Sequence, residues 1–335
     1  MSELQIGLLV IGGLVVVGVL AYNRIQERGA RRAAEKAFRS GHADVLLDGR
    51  AAPRESAGQT AGGATRPLIV PHPVAAEAAS AEPDAAVDYI VEFSSEQPAA
   101  LASVQEQWPA IERRHAPRAL LGHAPGGKAW RAGLQLVSRD GAIGEADLIE
   151  FRSTVETLAA SVSASVAAPE MRAAVDAARA LDDLCAETDI QVVMHVQGGP
   201  FSGARVREAA EAGGLTLEDD GRFALRNGEQ LLLYTLGARD GTPFAAKTLQ
   251  DAAPAALTLA LDVGRTPDTR RSFESMARFA HHLSSALGGS MVDDNGNALD
   301  ERAVAAIAQQ LDAVCARLEA QRIVPGSPTA LRLFS

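Results

Sequence analysis

Residues 4–22 form a run of 19 residues without a charge, from Leu4 to Tyr22. As a helix rising roughly 1.5 Å per residue it is about 28 Å long, which matches the hydrocarbon thickness of a bilayer. No other feature constrains the chain as strongly, because a membrane span fixes where everything after it must fold. The rival reading is a cleaved signal peptide, which needs positive charge before the apolar run and a small-residue cleavage site after it. Here Glu3 precedes the run, and Arg24, Arg28, Arg31, Arg32, Lys36 and Arg39 follow it. The flanks therefore predict an uncleaved anchor over residues 1–23, with the amino end outside and the rest cytoplasmic. Gly12, Gly13 and Gly18 are tolerated in a span, and no glycine pair has the small-xxx-small spacing of a dimerising helix.

Residues 24–39 read either as a short basic helix attracted to anionic lipid at the inner leaflet or as a solvated stop-transfer flank. Residues 40–87 are rich in Ala, Gly and Pro, with Pro53, Pro67, Pro71, Pro73 and Pro83 and no strong periodicity. That composition predicts a disordered linker. As a flexible coil its mean span is about 35–40 Å, so the folded part is tethered near the membrane and free to reorient.

Of the 14 aromatic residues only Tyr22 and Phe38 precede residue 88, which places the packed core downstream. Charge divides the same way. Residues 1–39 carry six basic and three acidic groups, residues 40–87 three and six, and residues 88–335 carry 23 and 33. An acidic folded part without a basic stripe argues against nucleic acid as a partner. Cys185 and Cys315 lie far apart, each within an apolar helical pattern, which argues against a disulfide framework or a cysteine metal site.

The folded part reads as two related halves, residues 88–188 and 189–325, with a tail over 326–335. Strand patterns entered from an aspartate begin at Asp88 and Asp189. Arg139-Asp-Gly141 is echoed by Arg239-Asp-Gly241, and Pro169-Glu-Met-Arg172 by Pro267-Asp-Thr-Arg270. These offsets of about 100 residues suggest two copies of a strand-helix-strands-helix unit, the first shortened at its end; chance similarity between alternating segments is the alternative. In the second half, short strands are expected over 215–217, 222–226, 231–238 and 257–263. A helix with Phe273, Met276, Ala280, Leu283 and Leu287 on one face ends at Gly288-Gly289, and another is capped by Asp300. Helices on one side of a sheet leave the other side to solvent. Period-two alternation puts Thr258, Ala260 and Asp262 on one face of their strand, and Gln191, Val193 and His195 on one face of theirs. Together they make a shallow, mixed apolar surface.

Catalytic chemistry finds little support. Gly122-His-Ala-Pro-Gly-Gly127-Lys128-Ala129 has the spacing of a phosphate loop, but Ala129 stands where a hydroxyl should meet magnesium, and a strand pattern follows where a helix should begin. A turn between two strands is the plainer reading. Adjacent His281 and His282 project about 100° apart on a helix and do not readily share an ion. His195 reads as a surface imidazole with no nucleophile in an elbow context. Asp293-Asp294-Asn295-Gly296-Asn297 reads as a turn, lacking the spacing and final glutamate of a calcium loop. No catalytic, cofactor or metal residue and no small-molecule substrate is expected.

An anchor, a Pro/Ala linker and an acidic α/β domain, with residues 192–196 (VVMHV), 232–236 (LLYTL) followed by Phe244, 257–263 (LTLALDV) and 287–294 (LGGSMVDD), together resemble the ZipA family of bacterial cell-division proteins. The resemblance implies an α+β fold of the split β-α-β type, with an antiparallel sheet and helices on one face, preceded by a related, divergent half. It also implies a non-enzymatic anchor at the bacterial inner membrane and division septum that binds the carboxy-terminal tail of FtsZ on the exposed sheet face. The matching positions here are Val193, His195, Phe223, Leu233, Thr235, Thr258 and Ala260. Membrane lipid is the second expected partner, through residues 4–22 and the basic residues from Arg24 to Arg39. With Ala260, Gly237 and Gly296 around it, the groove is expected to be shallow. The alternatives are an adaptor that binds another division or envelope protein through residues 88–188, and a nucleotide enzyme using the loop from Gly122 to Lys128.

Overall fold

A computed structural model describes residues 82–96, 100–124 and 129–335. The predicted span, its basic flank and the linker up to residue 81 lie outside the described residues. Among the described residues no helix is long and apolar enough to cross a membrane.

The first half opens with β1 (Asp88–Ser94), followed by α1 (Ala100–Arg114), β2 (Ala119–His123) and β3 (Trp130–Gln135). A two-residue hairpin, β4 (Val137–Ser138) and β5 (Gly141–Ala142), leads into α2 (Glu145–Ser161), β6 (Ser165–Ala167) and α3 (Met171–Thr188). The second half contains β7 (Gln191–Gln197), α4 (Gly203–Ala212), β8 (Thr216–Leu217), β9 (Phe223–Arg226), β10 (Leu232–Ala238) and β11 (Ala256–Asp262). It continues with α5 (Thr269–Leu287), β12 (Ser290–Val292), α6 (Glu301–Ala320) and the short α7 (Pro328–Leu333).

The halves form separate antiparallel sheets, in the order β2-β3-β1-β6 and β12-β7-β11-β10-β9-β8. Matching β1, β2, β3 and β6 to β7, β10, β11 and β12 makes the two orders identical, each with one helix after its first strand and one after its third. Both are split β-α-β units. The equivalence does not follow the sequence echoes. Arg139-Asp-Gly141 follows β3, whereas Arg239-Asp-Gly241 follows β10, the counterpart of β2. Likewise Pro169 precedes α3, whereas Pro267 precedes α5, the counterpart of α2. The second half carries two further strands between its first helix and β10, so a constant offset pairs elements that are not equivalent.

Local chemistry sets the helix ends. Asp300 accepts a bond from the Ala303 amide at the start of α6, as Glu170 does from Ala173 at α3. Gly288, in the left-handed region at φ 72°, ends α5. One face of each sheet packs on helices. Tyr89, Val91 and Phe93 meet Val104 and Trp108 of α1 and Phe151 and Val155 of α2 within the first core. Met194, Val196, Leu257, Leu259, Leu261, Tyr234 and Leu236 meet Val206 of α4 and Phe273, Met276 and Leu283 of α5 within the second. The tail joins the halves: Leu318, Ile323, Ala330, Leu333 and Phe334 belong to the first core, while the Phe334 ring lies over Gly264 at the end of β11.

The loop after Gly122 connects two paired strands, with the Ala124 amide donating to the Ala129 carbonyl at 2.8 Å. A strand, β3, stands where phosphate binding needs a helix amino terminus. Residues 125–128, including Lys128, lie outside the described residues.

Candidate functional site: the helix-free face of the second sheet

Residues opposite each other across paired strands share a face, so the register builds this surface row by row. Thr235, Ala260 and Val193 form one row, extended by Ala224 on β9. Gly237, Thr258, His195 and Val292 form the next. Ala256, Gln197 and Ser290 follow towards one end, where Arg239 continues β10, and Asp262 opposite Gln191 closes the other. The alternation that buries Leu257, Leu259 and Leu261 to 0–1% exposure leaves Thr258, Ala260 and Asp262 on this side.

Of the positions expected from sequence, Val193, Thr235, Thr258 and Ala260 lie on this face, part-exposed and mutually adjacent. Phe223 does not. It pairs with Leu236, is 0% exposed and packs in the helix-side core. The face position on its strand is Ala224, because β9 is only four residues long and its register is set by β10. Leu233 falls at a register shift between the Leu232–Arg226 and Tyr234–Leu225 pairs; it is half-buried and packs against the core.

His195 lies on the face but is not a surface imidazole. It is 5% exposed, covered by the turn that follows β12. Val292 pairs with Ala298, which folds the turn back. There His195 Nε2 lies 2.7 Å from Asp294 Oδ1, and Nδ1 lies 2.8 Å from Thr258 Oγ1. Nε2–H donates to the carboxylate, so the ring acts as a latch for the turn. Asp293 accepts from the Asn297 side-chain amide at 3.0 Å and from the Asn297 and Asn295 backbone amides within that turn, and these bonds, the side-chain one foremost, hold its carboxyl below the usual range.

The face is polarised along its strands. At one end the Arg239 guanidinium approaches the Asp294 carbonyl at 3.4 Å. The stem of Arg222 lies over Gly237, with its Cγ 3.4 Å from where a Cβ would sit, so the room that glycine leaves is partly filled by a basic side chain. Arg222 itself is 3.3 Å from Asp220. At the other end burial pushes the Asp262 carboxyl up to about 6, against the opposing pull of Arg265 and with a further push from Asp189. The apolar rows lie between these charges. Sequence reasoning missed Arg222 and Arg239, and also Ala224, which is 1% exposed and ends the row without offering contact surface. The alternation of β10 through Thr235 and Gly237 points to Arg239, whereas Ala224 and Arg222 needed the pairing of β9.

No group of His, Cys, Asp and Glu among the described residues is arranged to hold a metal ion. The surface offers an apolar floor, a Thr258 hydroxyl already engaged by His195, and opposite charges at its two ends.

Residues 189–310, rather more than a third of the chain, match the family described as ZipA, C-terminal FtsZ-binding domain, which is a protein-binding domain and not an enzyme family. No curated protein matches the chain.

Proposed function

We propose that this chain, ZipA-like over residues 189–310, is a non-enzymatic tether that holds FtsZ filaments at the bacterial inner membrane during septum formation. The match carries the reading, and the accessible rows of the second sheet supply a surface for it. An FtsZ tail lies across Val193, Ala260, Thr235 and Thr258, burying an apolar segment against the floor. A basic end on that tail meets Asp262, and a carboxylate meets Arg239. His195 supports the face from beneath the Asp294 turn. Residues 4–22 supply the anchor, with the amino end outside, and the basic residues from Arg24 to Arg39 meet the inner leaflet. Many tethers along one filament supply avidity that a single shallow face does not. Charge at the ends of the face speeds encounter more than it strengthens binding.

The test is titration of a labelled FtsZ-tail peptide against the full chain and its Val193→Glu and Ala260→Glu variants. A carboxylate placed centrally on the face is left unpaired under the peptide, at a cost of several kcal/mol, or on the order of 100-fold in Kd. Unchanged affinity in either folded variant sinks the site. Absence of binding by the wild-type chain sinks the tether reading itself.

A further inference from the structure

The four strands of the first sheet have the order of their counterparts in the second, and the face turned away from α1 and α2 is occupied by the chain itself, with α7 at one end. Register places Asp88 with Gln135, Ile90 with Gly133, and Glu92 with Arg131 on that face, with Leu120 and Gly122 of β2 beside them. Pro83 lies on the two glycines. A Cβ added to Gly133 would sit 2.7 Å from Pro83 Cβ, and one added to Gly122 would sit 2.7 Å from Pro83 Cδ. Pro83 is buried, and Ile90 on the same face is only 7% exposed.

Polar contacts fix the segment beyond the proline. The Asp84 amide donates to Asp88 Oδ2 at 2.7 Å, and the Ala86 amide donates to Asp84 Oδ1 at 2.9 Å. Thr329 Oγ1, on α7, donates to Asp84 Oδ2 at 2.8 Å. Arg332 on the same helix pairs with Asp88 Oδ2 at 2.7 Å. Asp88 Oδ1 and Arg332 Nε and Nη1 are buried without a hydrogen bond beside the strap.

We propose that the first half is a second peptide-docking module, and that residues 82–87 are its ligand in cis, a strap that closes the face to partners in trans. Glycine in a strand marks close approach by another backbone, and here the approaching group is a proline followed by a carboxylate. The class of peptide that fits is therefore a segment with Pro-Asp at its centre that turns back after the aspartate, whose carbonyl accepts from the Val87 and Asp88 amides. This rests on the reading of the second sheet as a peptide site, since the shared connectivity is what makes the two faces comparable. The strap wins by proximity, because a ligand joined directly to β1 has no translational freedom left to lose.

The test uses the full chain in detergent and a labelled peptide spanning residues 80–87. Pro83→Asp places a carboxylate beside Glu82 and Asp84 and releases the strap, leaving the receiving face unchanged. The wild-type chain is expected to show no binding, the Pro83→Asp variant to bind, and the Pro83→Asp/Gly133→Ala double variant to bind at least ten-fold more weakly. A released variant that binds no peptide, or a double variant that binds equally well, overturns the proposal. A readout independent of folding of the variants is hydrogen exchange in the wild-type chain. The Asp84 and Ala86 amides are expected to exchange at least 100-fold more slowly than in the free peptide, and exchange at the free rate also overturns it. FtsZ-tail affinity is expected to stay within two-fold in Pro83→Asp. Loss of FtsZ binding in Pro83→Asp/Val193→Glu with the strap-peptide binding of Pro83→Asp kept separates failure of one face from failure of the other.

Discussion

Asp262 gives the sharpest test of the electrostatics of the second face. Its carboxyl titrates near 3.8 in the unfolded chain and is pushed up to about 6 in the fold, where burial outweighs Arg265 and Asp189 adds a like charge. Between those values the native state binds more protons than the unfolded one, so this group's contribution to stability is full at low pH and is lost as pH rises through 6. The difference of 2.2 units, at about 1.4 kcal/mol each, corresponds to a penalty of up to about 3 kcal/mol above pH 7. Asp262→Asn keeps an oxygen to accept from the Arg265 amide, which lies 3.2 Å from Oδ1, and removes the buried charge. It should therefore stabilise the fold by about 2–3 kcal/mol at pH 7.5 and by almost nothing at pH 4. Urea unfolding of the wild type and variant at pH 4, 6 and 7.5 measures both values. An equal effect at pH 4 and 7.5, or a loss of stability at pH 7.5, refutes the buried-charge argument. The same carboxylate, poised beside the face, should favour a basic peptide end, so tail affinity should rise between pH 5.5 and 7.5 in the wild type and stay flat in Asp262→Asn.

Other outcomes follow from the same packing. Arg332→Met leaves Asp88, whose side chain is 0% exposed, without its partner; because burial already raises this carboxyl, unfolding by denaturant at pH 7.5 should show a loss of about 3–5 kcal/mol. Gly264→Ala puts a Cβ 2.5 Å from the Phe334 ring, so the tail must shift; a cost of about 1–3 kcal/mol in a thermal or denaturant melt is expected, relieved in part by Phe334→Leu. The Cys185 thiol is pushed up to about 12, chiefly by burial, and Cys315 is also raised by burial. Neither should react appreciably with a disulfide reagent at pH 8 in the native chain, while both should react in denaturant; rapid native labelling contradicts this burial.

The strands at the centre of the second sheet were legible because one face of each is buried and the other is not. Leu257, Leu259 and Leu261 alternate with Thr258, Ala260 and Asp262 over a full seven residues, enough for the period to set the face. Phe223 was misread because four residues provide too short a frame, and an aromatic near a strand start suggests a contact whichever way it points. The register shift at Leu233 has no local signature, since Leu231, Leu232 and Leu233 are interchangeable in pattern. His195 is covered by a turn almost 100 residues later in the chain. A burial created by so distant a segment leaves no mark beside the histidine.

The same reasoning explains why the strap escaped notice and why the two faces differ. Glu82, Pro83 and Asp84 have the composition of the linker that leads to them, so nothing in their own sequence separates a docked residue from a solvated one. The signal sits on the receiving strands, where Gly122 and Gly133 interrupt patterns that otherwise want side chains. The second sheet has Thr258 and Ala260 on the equivalent strand, and each presents a Cβ. A proline ring that rests on the glycine floor of the first face would meet those atoms on the second, so the strap cannot serve both. With one connectivity and two floors, the chain closes the face made of glycine with its own proline and leaves open the face made of small side chains. Replacing Gly133 with alanine should therefore move the first face towards the open condition of the second. Faster exchange of the Asp84 amide in Gly133→Ala, with FtsZ-tail affinity unaltered, is the outcome this difference in floors requires.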